Sequence, residues 1–475
     1  MLNDDTFFAP LLELSAQIRA RKLSPVELTE GYLDRLEKYG QKLGAVAMIM
    51  REPALRDARA AEKEIRAGHY RGVLHGIPFG VKDLLATKEA PTTWGATPYK
   101  DQKFDFDATV VQRLKNAGAI LVAKLAMVEL AGGMGYNEAW AAWTGAGRTP
   151  WNTGYWSGGS SSGPGAATAA ALVQFSIGSE TSGSILTPSA FCGVSGLRPT
   201  YGFVSRHGAM ALSWTLDKLG PMCRSADDCG HVLNALAGRD PFDPTSRDSS
   251  FRYTPSTKST RSHGSKPLRV AILKDSYEKA QDAVRDNFLA SLEVLKKIEP
   301  GVQIIKDQTL PDFPYGAVVG TIVDAEGASA FRDLIESGRV KELASPSGRL
   351  GGYSASLVTA VDYLHAMRLR APMRRAWAEM FKKFDLLVAP SRSTVANPAD
   401  KPFDQGWPPA PAASPIGAAN AVGVPAISIP NGFGLEGLPT GIQFVAPAWG
   451  ESVLLDLATR YQQATDWHKR RPNLT

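Results

Sequence analysis

The 475-residue chain has only three cysteines, Cys192, Cys223 and Cys229. Their irregular spacing excludes a disulfide framework and a cysteine zinc site, and their scarcity fits a reducing, cytoplasmic compartment. The seven histidines are scattered without a His-x-x-x-His pair, so no metal site is read and no cofactor is expected. No window holds the ~18 uninterrupted apolar residues of a membrane helix. The opening residues MLNDDTFFAP lack the basic-then-apolar pattern of a secretory leader, so a soluble chain without a membrane partner is expected. Charge of either sign is also modest, with 53 Lys plus Arg against 47 Asp plus Glu and a net +6. The one basic low-complexity stretch, residues 256–266, reads as a solvated loop, so no nucleic-acid partner is expected.

What remains is a globular composition, 44% hydrophobic, long enough to bury a large core. Apolar residues at helical spacing predict two helices across 11–36, the second opened by Ser24 as N-cap and Pro25 at the first helical position. A third helix is predicted over 53–67, a strand over 76–81 ending in Lys82-Asp83, a helix over 107–117 and a strand over 118–123. Further strands are read at 385–390, 424–430 and 440–446, with a closing helix at 452–464. This alternation predicts an α/β protein with a buried sheet, and the helix-rich stretch 277–384 reads as peripheral cover.

The most unusual region lies between Arg148 and Glu180, where no Asp, Glu, Lys or Arg occurs. A small-residue helix over 163–175 is expected to pack in the core. Burial does not account for the two Gly/Ser turns at its ends, 157–163 and 178–184, which offer hydroxyls and backbone N–H groups where the chain bends. Neither turn holds the lysine of a phosphate-binding loop. Residues 159–163 do satisfy Gly-x-Ser-x-Gly, with Ser161 as nucleophile, but Pro150, Asn152 and Gly154 break the strand that motif requires upstream. A lysine-activated serine is the remaining chemistry. Lys82 ends an apolar strand, where desolvation would lower its pKa and leave a lone pair for a proton; a solvated surface lysine is the alternative.

Four segments, LHGIPFGVKD (74–83), GGSSSG (158–163), GSETSGSI (178–185) and PSAFCGVSGLRPT (188–200), together resemble the amidase signature family, and GLPTGIQF (437–444) extends the resemblance over most of the chain. The resemblance implies an α/β fold with a central mixed sheet of about eleven strands, covered by helices on both faces. The whole chain, 1–475, is then one catalytic domain. It also implies a Ser–cisSer–Lys triad in which Lys82 is the base, Ser160 the cis-serine and Ser184 the nucleophile. The backbone N–H groups of Thr181, Ser182, Gly183 and Ser184 take the place of the oxyanion hole. Glu180 and Ser182 depart from the family's more usual aspartate and glycine, and a serine at 182 would be strained if that position required a positive φ. Leu186 stands where many members carry arginine, which favours a less charged substrate environment.

The segment Gly132 to Tyr136, followed by Trp140, Trp143, Trp151 and Trp156, lies where the family builds part of its substrate channel. Gly133, Met134, Gly135 and Tyr136 are therefore the candidate substrate-binding residues. The aromatic density suggests an aryl or apolar group on the substrate; core packing is the other reading of these tryptophans. The expected partner is a small-molecule amide, with esters and carbamates (urethanes) as further candidates, acted on by a monomer or homodimer. Two other classes stand beside this one. A glutaminase A subunit of a tRNA-dependent amidotransferase usually carries paired arginines that residues 338–356, GRVKELASPSGRLGGYSAS, lack. A non-catalytic binding member would lack a triad residue, and none is missing.

Overall fold

The computed structural model describes residues 2–248, 251–254 and 267–474, so the basic stretch 256–266 lies outside the described residues. Among the described residues, eleven strands form one mixed sheet: β1 (Val46–Ile49), β2 (Pro78–Lys82), β3 (Ile120–Leu125), β4 (Phe175–Glu180), β5 (Ser195–Arg198), β6 (Lys218–Cys223), β7 (Arg269–Leu273), β8 (Gln303–Gln308), β9 (Leu386–Pro390), β10 (Ala426–Phe433) and β11 (Pro439–Val445). Their order across the sheet is β1-β3-β2-β4-β6-β5-β10-β11-β9-β7-β8. Every residue of β2, β3, β4, β6, β9 and β11 is buried. Burial on both faces explains why these strands read as continuous rather than alternating apolar runs. Fifteen α-helices are present among the described residues, and none is long and apolar enough to cross a membrane.

The local signals for the first helices act as expected. Ser24 accepts hydrogen bonds from the N–H groups of Val26 (3.1 Å) and Glu27 (3.3 Å), with Pro25 opening the helix Pro25–Tyr39. Three expectations need correction. The small-residue helix spans only Ser162–Ala169, because the chain turns through Ala171 at φ 50° and enters β4 at Phe175. Residues 178–180, expected in a turn, are the end of that strand. Gly178 sits there because a Cβ would lie 2.9 Å from Met222 Sδ and 3.0 Å from Ser161 Oγ, so composition reflects close packing rather than a bend. The stretch 277–384 likewise contains β8, a polar, partly exposed edge strand whose sequence QIIKDQ has no buried face to announce it.

Candidate active site

Three neighbouring interior strands meet at the same end of the sheet. β2 ends at Lys82; β4, parallel to it, ends at Glu180; and β6, antiparallel to β4, begins at Lys218 opposite Glu180. Lys82 is fully buried, and its Nζ lies 2.7 Å from Ser160 Oγ and 2.9 Å from Ser179 Oγ. Burial lowers its pKa to about 7, although the charges of Asp217 and Glu180 oppose the shift. The ammonium form is destabilised by loss of water, and two hydroxyls rather than a carboxylate meet the nitrogen, so a free lone pair is accessible near neutral pH.

Ser160 follows a cis peptide bond with Gly159 and is buried. The neighbouring Ser161 is buried differently: its hydroxyl donates to the Ser179 carbonyl at 3.1 Å and accepts from the Ser179 N–H at 3.3 Å. Ser161 therefore ties the turn to β4 and does not line the cavity that Ser184 faces. The loop after β4 carries Thr181, Ser182, Gly183 and Ser184. Positive φ falls on Gly183 (95°) and not on Ser182, so the serine at 182 is unstrained. The N–H groups of these four residues donate to no acceptor among the described residues, whereas the carbonyls of Gly183 and Ser184 accept from Thr187 (2.8 Å) and Ser161 (3.3 Å).

Glu180 holds this loop from beneath. One carboxylate oxygen accepts from the N–H groups of Ile185 (2.9 Å) and Leu186 (3.0 Å), at the start of the helix Leu186–Cys192. The other accepts from Arg198 (2.8 Å) and Asn420 (2.8 Å). Burial alone would raise its pKa, but the Arg198 charge and these hydrogen bonds outweigh it and bring the carboxyl to about 2. Asp217 braces the same loop, accepting from Thr181 Oγ1 at 2.6 Å and from the N–H groups of Leu212 and Ser213. The extra methylene of Glu180, relative to aspartate, is thus accommodated within a fully bonded carboxylate.

Ser184 opens onto a cavity of about 460 Å³ that is also lined by Gly159, Thr181, Ser182 and Thr187. Tyr136, Trp156, Phe191 and Phe403 supply aromatic walls, with Trp156 and Phe403 stacked at 4.4 Å. Of the predicted substrate-binding residues, only Tyr136 lines this cavity. Met134 is 4% exposed and packs against the helix Gly348–Ala355, where Cβ atoms at Gly351 and Gly352 would collide with its carbonyl oxygen and its sulfur. Gly133 faces Leu212, and Gly135 is exposed at a turn. Of the four tryptophans only Trp156 reaches the cavity; Trp143 bonds Thr93, and Trp151 bonds the Cys192 carbonyl. Arg392 also lines the cavity, so the absence of arginine at position 186 does not leave the site without a cation. Arg392, Asn397 and Phe403 carry no signal of a site role in the sequence, nor does Val323, which the supposedly peripheral region contributes.

The family model described as Amidase matches residues 27–455. AmiD of Mycobacterium tuberculosis (strain ATCC 25618 / H37Rv) is 36% identical over 467 residues, covering 97% of this chain and 95% of AmiD. The A subunit of the glutamyl-tRNA(Gln) amidotransferase of Gloeothece citriformis is 33% identical over 490 residues, covering 98% of this chain and 99% of the relative. Among solved structures, the native peptide amidase from Stenotrophomonas maltophilia matches with a TM-score of 0.83 at 29% identity, over 98% of each chain.

Proposed function

The chain belongs to the amidase signature family and hydrolyses amide C–N bonds, and we propose that it does so by acyl transfer through Ser184, with Ser160 as proton relay and neutral Lys82 as base. One observation carries the proposal: the buried Lys82 amine sits 2.7 Å from the Ser160 hydroxyl, in the turn that borders the cavity onto which Ser184 opens. As Ser184 Oγ attacks the amide carbonyl, its proton passes to Ser160 Oγ while the Ser160 proton passes to Lys82 Nζ. The carbonyl oxygen becomes an oxyanion, met by the undonated N–H groups of the 181–184 loop, each worth about 3–4 kcal/mol of barrier. Collapse breaks the C–N bond as the relay runs backward and returns a proton to the leaving nitrogen. Water then repeats the sequence on the acyl-enzyme and releases the acid.

The aromatic walls favour a small amide with an aryl or apolar body, and esters or carbamates present the same electrophilic carbonyl to Ser184. The similarity to the amidotransferase relative supports a second reading, a glutaminase that works with partner chains. Labelling with a fluorophosphonate, followed by peptide mapping, tests the mechanism: the label is expected on Ser184 and absent from Ser184→Ala, which should lose all amide turnover. A label on Ser161, or turnover retained by Ser184→Ala, overturns it. Faster hydrolysis of glutamine than of anilides would select the glutaminase.

A further inference from the structure

We propose that Arg392 is a specificity-determining residue of this cavity and binds a carboxylate carried by the substrate amide. The inference rests on the hydrolase reading above and adds the class of substrate. Arg392 lies two residues beyond the end of β9, so its backbone is held by the sheet: the adjacent Ser391 donates its N–H to the Gly441 carbonyl at 2.8 Å, and its hydroxyl shares a 2.7 Å hydrogen bond with Ser428. The side chain lines the same cavity as Ser184 and is exposed to it.

Its five N–H donors are unused. Arg392 makes no hydrogen bond and no ion pair among the described residues, and the Phe191 ring lies 6.0 Å from its guanidinium carbon. Among the described residues, no aspartate or glutamate lines the cavity. Buried arginines elsewhere use their donors: Arg198 is paired with Glu180 at 2.8 Å, Arg460 with Glu299 and Asp456 at 2.7 and 2.8 Å, and Arg370, without a carboxylate, donates to the Ala421 and Thr215 carbonyls at 2.9 and 3.0 Å. A guanidinium carried by a rigid strand end and presented to a reaction cavity without a counter-charge is a fork for a planar anion. Tyr136 and Asn397, on the walls of the same cavity, offer further hydrogen-bonding groups.

Two matched substrate pairs test this. Succinanilic acid is compared with 4-methylpentananilide, in which an isopropyl group replaces the acyl-side carboxylate; N-benzoyl-β-alanine is compared with N-(3-methylbutyl)benzamide, which makes the same exchange on the amine side. In at least one pair the wild type should favour the acid, and Arg392→Gln should lower kcat/KM for that acid about 10- to 100-fold, chiefly through KM, and by at least several-fold more than for the neutral partner. Arg392→Lys should recover part of the preference. Calorimetry of the favoured acid on the Ser184→Ala protein, with and without Arg392→Gln, should show the same loss in binding. Equal losses for acid and neutral amide, or no preference for either acid together with no measurable binding, overturn the proposal. Loss of preference with anilide turnover intact leaves the hydrolase reading standing, whereas turnover that survives Ser184→Ala removes the hydrolase reading instead.

Discussion

Two fully buried lysines lie near the ends of adjacent parallel strands, and they meet opposite kinds of partner. Lys82, at the end of β2, contacts the hydroxyls of Ser160 and Ser179. Lys124, in β3, lies 3.1 Å from Asp83 and donates to the Leu85 carbonyl at 2.8 Å and to Thr92 Oγ1 at 2.6 Å. Burial lowers the pKa of both, but at Lys124 the Asp83 carboxylate and its hydrogen bond oppose the shift from close range, whereas only the charges of Asp217 and Glu180 do so at Lys82. Both amines are desolvated by the sheet, and the partner separates them: a carboxylate engages Lys124 in a structural contact, whereas two hydroxyls at Lys82 suit the base role of the proposed mechanism.

Exchanging each lysine for methionine, close in length and without charge, separates these roles. Lys82→Met should lower kcat for anilide hydrolysis about 10³- to 10⁴-fold while the denaturation midpoint at neutral pH stays level or rises, because the exchange removes a buried amine whose lowered pKa costs stability there. Lys124→Met leaves Asp83 buried without a counter-charge and should cost about 3–5 kcal/mol in chemical unfolding, while the folded enzyme keeps its turnover. Adding Asp83→Asn should return part of that stability. If Lys124→Met abolished turnover in protein that remained folded, the division of labour would be wrong.

How much of this was legible follows from where each group sits in the chain. Lys82 at a strand end reads equally as a solvated lysine, and it is the resemblance of three short motifs to the amidase signature family that singles out Lys82, Ser160 and Ser184 in the sequence. The partner that distinguishes the two lysines is half legible, since Asp83 adjoins Lys82 in sequence yet pairs with Lys124 in space. Met134 is well placed for the substrate by its neighbours in sequence, but left-handed backbone at Leu130 and Ala131 turns the chain and sends its side chain against Gly352. Arg392, Asn397 and Phe403 reach the cavity across more than two hundred positions from Ser184, in segments with no helical or strand period to signal a shared wall. Likewise β4 hid behind its glycine and serines, which report tight packing beside Met222 and Ser161 rather than local bending.

The contrast between the two amines also sets a pH dependence. Only neutral Lys82 accepts a proton, so raising the pH through about 7 should activate the enzyme, and below that value kcat/KM should fall tenfold per pH unit, about 100-fold at pH 5. Glu180, held at about 2, stays ionised throughout and cannot produce this limb. The same lowered pKa bears on stability. Between about 7 and the ordinary lysine value of 10.5 the unfolded chain binds a proton at this position that the folded chain does not, so the Lys82 contribution makes folding more favourable as the pH rises through that window. An acid limb that persists unchanged in stability and rate after Lys82→Met, measured on the residual activity, would assign it to another group.

The smallest effect should come from Ser179, which touches Lys82 without touching substrate. An ammonium has three N–H donors to satisfy and a neutral amine two, so the Ser179 hydroxyl, 2.9 Å from Nζ, helps the charged form more than the neutral one. Ser179→Ala removes that acceptor and should lower the Lys82 pKa further, which moves the acid limb of kcat/KM to lower pH by less than one unit. It also frees the amine to swing away from Ser160, so the plateau rate should fall about 2- to 10-fold, the worth of one hydrogen bond. A rate loss alone would fit any local disturbance. The two changes together, a lower plateau with the limb displaced toward acid, identify Ser179 as a positioning residue for the base, and displacement toward alkali would refute that role.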